Sequence, residues 1–97
     1  MTNTIELYGN MLLRDVFRER GWSNPRHFSV DHETPALELL DQLNIPAEEV
    51  GVIFVNHRAH RPPRAVIRPG DRVALFSPGA VMFLDFGSHE DVYGFVS

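Results

Sequence analysis

The sequence predicts an α+β domain in which a mixed sheet packs against one main helix. Two short runs, Val52–Val55 and residues 73–76, are rich in the β-branched and aromatic residues typical of strands. Residues 4–8 alternate in polarity with the period of a strand, and residues 35–43 carry apolar side chains at helical spacing. A sheet and a helix that each have an apolar face bury those faces against each other, which predicts two layers.

The start of the chain is predicted to form a strand and then a short helix. Ile5 and Leu7 would face the core, and Gly9 and Asn10 would turn the chain. The next segment has leucine, valine and phenylalanine residues at helical spacing, and Gly21 would end that helix.

A second strand is predicted over residues 27–32, where Phe28 and Val30 alternate with polar residues. Trp22, in the loop before it, would pack at the edge of the core, because a lone tryptophan in a small domain usually packs. The alternative is that Trp22 is left as a contact residue for a partner.

The main helix has the clearest start signal in the chain. Thr34 would be its N-cap and Pro35 its first residue, where the missing N–H of proline has no cost. Leu37, Leu40 and Leu43 would form its buried face. We therefore expect an amphipathic helix of about two and a half turns, which ends before the next proline.

Turns are predicted around the two apolar strands. Residues 46–50 would add one turn of helix, Asn56-His57 would turn the chain, and residues 68–71 have the Pro-Gly composition of a tight turn. The predicted core consists of Ile5, Leu7, Phe28, Val30, Leu37, Leu40, Leu43, Val52, Phe54, Val73 and Leu75.

Length and composition indicate one domain, residues 1–97, with a single core. No apolar run approaches the ~18 to 20 residues that would span a bilayer, so we expect no membrane partner. The first residues lack a basic stretch followed by an apolar one, so we expect a cytoplasmic protein without a secretory signal.

The residue types argue against catalysis by this chain. It has no Cys and no Lys, which excludes thiol chemistry and a Schiff-base lysine. No nucleophile motif or phosphate loop is visible, so we expect no enzyme activity and no cofactor. His57 and His60 have a metal-like spacing, but turn histidines are usually solvated and no full ligand set is evident, so we expect no metal.

Basic residues concentrate in the second half of the chain, although the net charge is −4. Between positions 52 and 78 the charge is +4, and the arginines responsible are Arg58, Arg61, Arg64, Arg68 and Arg72. This strip is either a solvated face or a docking surface for an acidic partner or phosphate, which arginine forks suit. Nucleic acid is an unlikely partner because no aromatic residues interleave the strip.

Residues 4–78 resemble the small sulfur carriers with the ubiquitin-like β-grasp fold, the molybdopterin-synthase small subunit and the thiamine-biosynthesis carrier. In that family a helix precedes a strand ending in Val-Asn, and a Gly-Asp turn precedes a strand ending near a proline. The corresponding residues here are Val55, Asn56, Gly70, Asp71 and Pro78. The resemblance implies a ubiquitin-like β-grasp fold, and an adenylating enzyme or a molybdopterin-synthase large subunit as partner.

The chain departs from the family after its last predicted strand. Active carriers end in a diglycine whose carboxylate is activated, because a tail without side chains can enter a narrow adenylating site. Here Val81 and Met82 occupy that place, and fifteen residues follow them.

The C-terminal segment, residues 79–97, is too apolar for a solvated tail. We expect it either to complete the protein's own sheet or to dock on a partner or on a second copy, giving a homodimer. The candidate partner-binding residues are Arg58, Arg61, Arg64, Pro78, Gly79, Val81, Met82 and Phe83.

The sequence thus predicts a non-catalytic protein-interaction module related to the sulfur carriers. One alternative is a true sulfur carrier for molybdopterin or thiamine biosynthesis, matured by C-terminal cleavage. A third interpretation is an RNA-binding β-grasp domain.

Overall fold

The computed structural model describes residues 3–78, which form an α+β fold with a mixed sheet and two helices. The elements are β1 (Thr4–Asn10), α1 (Leu12–Glu19), β2 (Arg26–Ser29), β3 (Thr34–Pro35), α2 (Ala36–Gln42), β4 (Val52–Val55), β5 (Arg58–His60), β6 (Val66–Ile67) and β7 (Arg72–Phe76). Single turns of 3-10 helix span Ala47–Glu49 and Pro62–Arg64. The α+β prediction is confirmed, and so are both apolar strands and the extra helical turn before β4.

Within residues 3–78, the main sheet has five strands in the order β2-β1-β7-β4-β5. The pair β1 and β7 is parallel, and the other neighbouring pairs are antiparallel. A separate two-stranded ladder joins β3 to β6. The long connection between β4 and β7 therefore contains two short strands that its Pro and Arg content did not reveal.

Side chains from the inner face of the main sheet form the core with the two helices. The inner face contributes Ile5 and Leu7 of β1, Ile53 of β4, and Val73 and Leu75 of β7, all of which are buried. The helices complete the core with Leu13, Phe17, Ala36, Leu39, Leu40 and Leu43. Burial of side chains of this size stabilises the fold by about 1.5–3 kcal/mol each.

Helix α1 packs closely against the main sheet at Gly9. A Cβ atom at Gly9 would lie 2.8 Å from the carbonyl oxygen of Leu13 and 2.8 Å from the ring of Phe17. The predicted turn at Gly9 and Asn10 is wrong, since both residues belong to β1 and the chain turns at Met11, where φ is 58°. Glycine is needed at position 9 because the contact with α1 leaves no room for a side chain, and not because the chain turns there.

The end of α1 follows the prediction. Gly21 has φ +72° and its N–H donates a hydrogen bond to the carbonyl oxygen of Arg18 at 3.0 Å, as in a glycine-terminated helix. Trp22 then packs edge-on against Phe17, with ring centroids 5.2 Å apart. Trp22 is half-buried against the core, which confirms its predicted packing at the edge.

The predicted start of α2 is wrong. Thr34 and Pro35 pair with Ile67 and Val66 in the β3–β6 ladder, and the hydroxyl of Thr34 donates to the carbonyl oxygen of His32 at 2.9 Å. The helix begins at Ala36, one residue beyond Pro35, and Thr34 does not cap it. The Thr-Pro pair has the local chemistry of a helix start, but it pairs with β6, which lies far away in the sequence.

Three predicted core residues are not fully buried; two of them lie outside the main core, and the third is only half-buried against it. Leu37 is 43% exposed, because the buried face of α2 runs through Ala36 and Leu39 and lies about a quarter turn away. Phe54 is half-buried on the opposite, outer face of the sheet, where it packs with buried Val52. Phe28 is half-buried at the edge of the main core. The other predicted core residues are buried.

The second predicted strand is shorter than expected and begins one residue earlier. β2 covers Arg26–Ser29 and pairs with β1, and Val30 lies beyond its end. Val30 is nevertheless buried, as predicted.

The two leucines of α2 provide a matched test of this packing. We expect Leu39→Ala to lower the free energy of unfolding by about 2–5 kcal/mol, because it removes a buried side chain and leaves a cavity. Leu37→Ala should cost less than about 1 kcal/mol, because its side chain is 43% exposed. Urea denaturation of both variants measures the difference, and equal losses would contradict the orientation of α2.

Candidate functional site

The outer face of the sheet carries a patch of aromatic side chains. Tyr8, Phe54, Ala74 and Phe76, here called the outer patch, come from the three central strands. Ala74 is the register partner of both Tyr8 and Phe54, so the four side chains share one face. They line a depression of about 390 Å³ together with His57 and Arg72.

The rings of the outer patch are held in place by one another. Phe54 and Phe76 meet edge to face with centroids 5.3 Å apart, a geometry that aromatic pairs favour. They pack over Val52 and Ala59, which are buried and form a second, smaller apolar cluster. The two phenylalanine rings therefore pack on buried side chains of the sheet.

A polar border adjoins the outer patch on β1 and β7. Glu6 accepts hydrogen bonds from the Nε of Arg72 at 3.2 Å and from the hydroxyl of Tyr8 at 3.4 Å. His27 reaches the same carboxylate at 3.9 Å. Glu6, His27 and Arg72 line a polar depression of about 410 Å³ that also includes His57. Charge thus flanks the aromatic rings on one side.

The Asn56-His57 turn separates the outer patch from a second surface. Both residues have positive φ, 50° and 75°, as in the tight turns that join hairpin strands. The side-chain amide of Asn56 donates to Asp71 at 2.9 Å, and its oxygen accepts from the N–H of Arg72 at 2.9 Å. These bonds tie the turn to the start of β7, and the predicted turn is confirmed.

Beyond this turn, basic side chains surround a cleft of about 390 Å³, here called the basic cleft. Its charged and polar lining consists of Asn56, Arg58, His60, Arg64, Arg68 and Asp71, and two valines, Val55 and Val66, complete it. Arg68 also forms an ion pair with Glu33, with Nη2 and Oε2 2.6 Å apart. Its backbone N–H donates to Asp71 at 2.8 Å, which fixes the loop in the predicted turn at residues 68–71.

The predicted partner-binding residues do not all lie together. Arg58 and Arg64 come together in the basic cleft, whereas Arg61 is half-buried and does not line it. Pro78 is exposed just after the end of β7. Four others, Gly79, Val81, Met82 and Phe83, lie outside the described residues, as does the rest of the predicted C-terminal segment.

The aromatic residues of the outer patch were not predicted as site residues. The signal that could have found them is the run Val-Ile-Phe-Val of β4, which is apolar at every position. A strand with one solvated face alternates in polarity, whereas this run indicates a strand with apolar side chains on both faces. Ile53 and Val55 fill the inner core, so Phe54 must project outward.

The histidines at positions 57 and 60 lie apart in the fold. His57 borders the outer patch, whereas His60 lines the basic cleft. Within residues 3–78, no three His, Asp or Glu side chains are grouped closely enough to hold a metal ion. No helix of this part of the chain is long and apolar enough to cross a membrane.

Comparison of the chain with protein-family models, with curated proteins and with solved structures found no match. The functional interpretation therefore rests on the geometry of the outer patch and of the basic cleft.

The turn between the surfaces gives a direct prediction. We expect Asn56→Ala to lower the free energy of unfolding by about 1–3 kcal/mol, because it removes both side-chain hydrogen bonds to β7 and places alanine at a positive φ. Asn56→Gly should recover the part that comes from backbone strain. Thermal unfolding compares the two variants, and an unchanged melting temperature for Asn56→Ala would show that the turn does not depend on this side chain.

Proposed function

We propose that this chain is a ubiquitin-like β-grasp module without catalytic activity, which binds another protein through the outer patch. The strand order supports the β-grasp assignment. The first and last strands of the described fold are parallel neighbours at the centre of the sheet, each flanked by an antiparallel strand, and the sheet packs against helices on one face. This arrangement agrees with the fold that the resemblance to the sulfur carriers implies.

The outer patch is the observation that carries the proposal. Aromatic side chains are enriched at the centres of protein interfaces, where they provide large contact areas with few rotatable bonds. Phe54 and Phe76 are already packed against each other, so binding orders little that is free. The concave shape of the patch suits an inserted apolar side chain of a partner.

The border of the patch supports a partner surface of mixed chemistry. Arg72 and His57 line the same depression as the aromatic rings. A partner that presents an apolar anchor with polar groups beside it would satisfy both parts of this surface, since the charge of Arg72 is already paired with Glu6. The two candidates that the resemblance names, an adenylating enzyme and a molybdopterin-synthase large subunit, are the proteins to test first.

The test is a binding titration of the full chain with each purified candidate from the same organism. Phe54→Ala and Tyr8→Ala should weaken binding by about 30-fold each, because truncation of a central aromatic anchor costs about 2 kcal/mol or more. Leu37→Ala, which truncates an exposed leucine on α2, is the matched control and should leave the affinity within about twofold.

Other results would contradict the proposal. Equal effects of Phe54→Ala and Leu37→Ala, or binding by neither candidate, would exclude the outer patch as their docking surface. A dimer of the chain that Phe54→Ala dissociates in sedimentation experiments would assign the patch to self-association instead. Circular dichroism of each variant ensures that a loss of binding is not a loss of fold.

A further inference from the structure

The basic cleft is a separate feature that the proposed protein-binding role does not require. Its arginines come from different elements: Arg58 from β5, Arg64 from the 3-10 turn at Pro62–Arg64, and Arg68 from the loop after β6. The β3–β6 ladder and the turn at residues 68–71 hold these elements around one cavity of about 390 Å³. The fold thus brings like charges together instead of spreading them over the surface.

The positive charge of the cleft is only partly neutralised. Within residues 3–78, neither Arg58 nor Arg64 forms an ion pair with a carboxylate, whereas Arg68 is paired with Glu33. Asp71, which lines the cleft, already accepts hydrogen bonds from the N–H of Arg68 and from Asn56. Two guanidinium groups therefore face the cavity without a countercharge from this part of the protein.

The groups that line the cleft are held on a rigid frame. Arg64 ends a turn that begins with Pro62 and Pro63, whose φ angles are fixed by their rings. The carboxylate of Asp71 fixes the backbone of Arg68, and Val55 and Val66 supply apolar wall between the charged groups. A ligand that enters this cleft meets arginines whose backbone is already held in place, which lowers the part of the entropy cost that comes from ordering the backbone.

We propose that the basic cleft binds a small molecule that carries a phosphate group. Arg58 and Arg64, the two lining arginines without an ion pair within residues 3–78, match the two negative charges of a phosphate dianion. Arginine forks bind phosphate oxygens in pairs, and the two valines offer contact to an organic portion. The cavity is within the usual range of small-molecule sites, about 300–1,000 Å³, and has room for more than a bare phosphate ion.

A nucleic acid is less suited to this cleft. Sequence-tolerant binding of single strands combines a basic groove with aromatic side chains on which bases stack. No aromatic ring of phenylalanine, tyrosine or tryptophan lines the cleft in the described residues.

The experiment is a titration of the ¹⁵N-labelled full chain with inorganic phosphate, pyrophosphate and phenyl phosphate, followed by amide chemical shifts. We expect saturable changes that centre on Arg58, Arg64 and Arg68, with phenyl phosphate binding more tightly than inorganic phosphate because of the valines. Arg58→Gln and Arg64→Gln should each weaken binding by about 10- to 100-fold, the value of a charge-assisted hydrogen bond.

Two further variants separate a built site from general charge attraction. Arg14→Gln removes the same charge from an exposed position on α1 and should leave the affinity unchanged. Arg58→Lys keeps the charge but loses the fork, and should bind with intermediate affinity. Thermal unfolding checks that each variant is folded.

Three results would overturn the proposal. These are shifts that do not saturate with any of the three anions, equal weakening by Arg14→Gln and Arg58→Gln, and single-stranded RNA that binds the cleft and is not displaced by phenyl phosphate. None of them bears on the outer patch, so the two proposals fail independently.

Discussion

The parallel pairing of β1 with β7 is the constraint on which the rest of the described fold depends. The two strands are neighbours at the centre of the sheet although they lie at opposite ends of residues 3–78. The elements between them must therefore bring the chain back so that β7 lies beside β1. Leu7 and Val73 face each other across the pairing, and both are fully buried. Gly9 then lets α1 approach the same two strands closely enough to cover their inner face.

Side chains alternate along these strands, so the inner face of the sheet forms the core and the outer face carries the proposed binding patch. Inner-face residues such as Leu75 enter the main core, while Phe76, the next residue, lies with Phe54 on the outer face. The Asn56-His57 turn lies between the two surfaces. The side chain of Asn56 accepts a hydrogen bond from the N–H of Arg72 at the start of β7. The strand that follows the turn, β5, places Arg58 in the lining of the basic cleft. One short segment of chain thus joins both proposed binding surfaces to the centre of the sheet.

The sequence predicts features that depend on local pattern and misses those that depend on pairing at a distance. The strands at Val52–Val55 and residues 73–76, the end of α1 at Gly21 and the Asn56-His57 turn follow from local chemistry. The predicted N-cap at Thr34 is wrong because Thr34 pairs with β6, some thirty residues later in the chain. In the same way, the arginine strip is visible in the sequence, but only the fold shows that Arg58 and Arg64 share a cleft with Arg68 while Arg61 does not line it.

Adjacent residues of β4 test the division of the sheet most directly. Ile53 is buried in the inner core, and Phe54 is half-buried in the outer patch. Urea denaturation of Ile53→Ala and Phe54→Ala compares the two faces at neighbouring positions of one strand. The account predicts that Ile53→Ala lowers the free energy of unfolding by about 3 kcal/mol and Phe54→Ala by less than half of that, although phenylalanine is the larger side chain. An equal or greater loss for Phe54→Ala would show that the outer aromatic residues are part of the stabilising core and are not free to bind a partner.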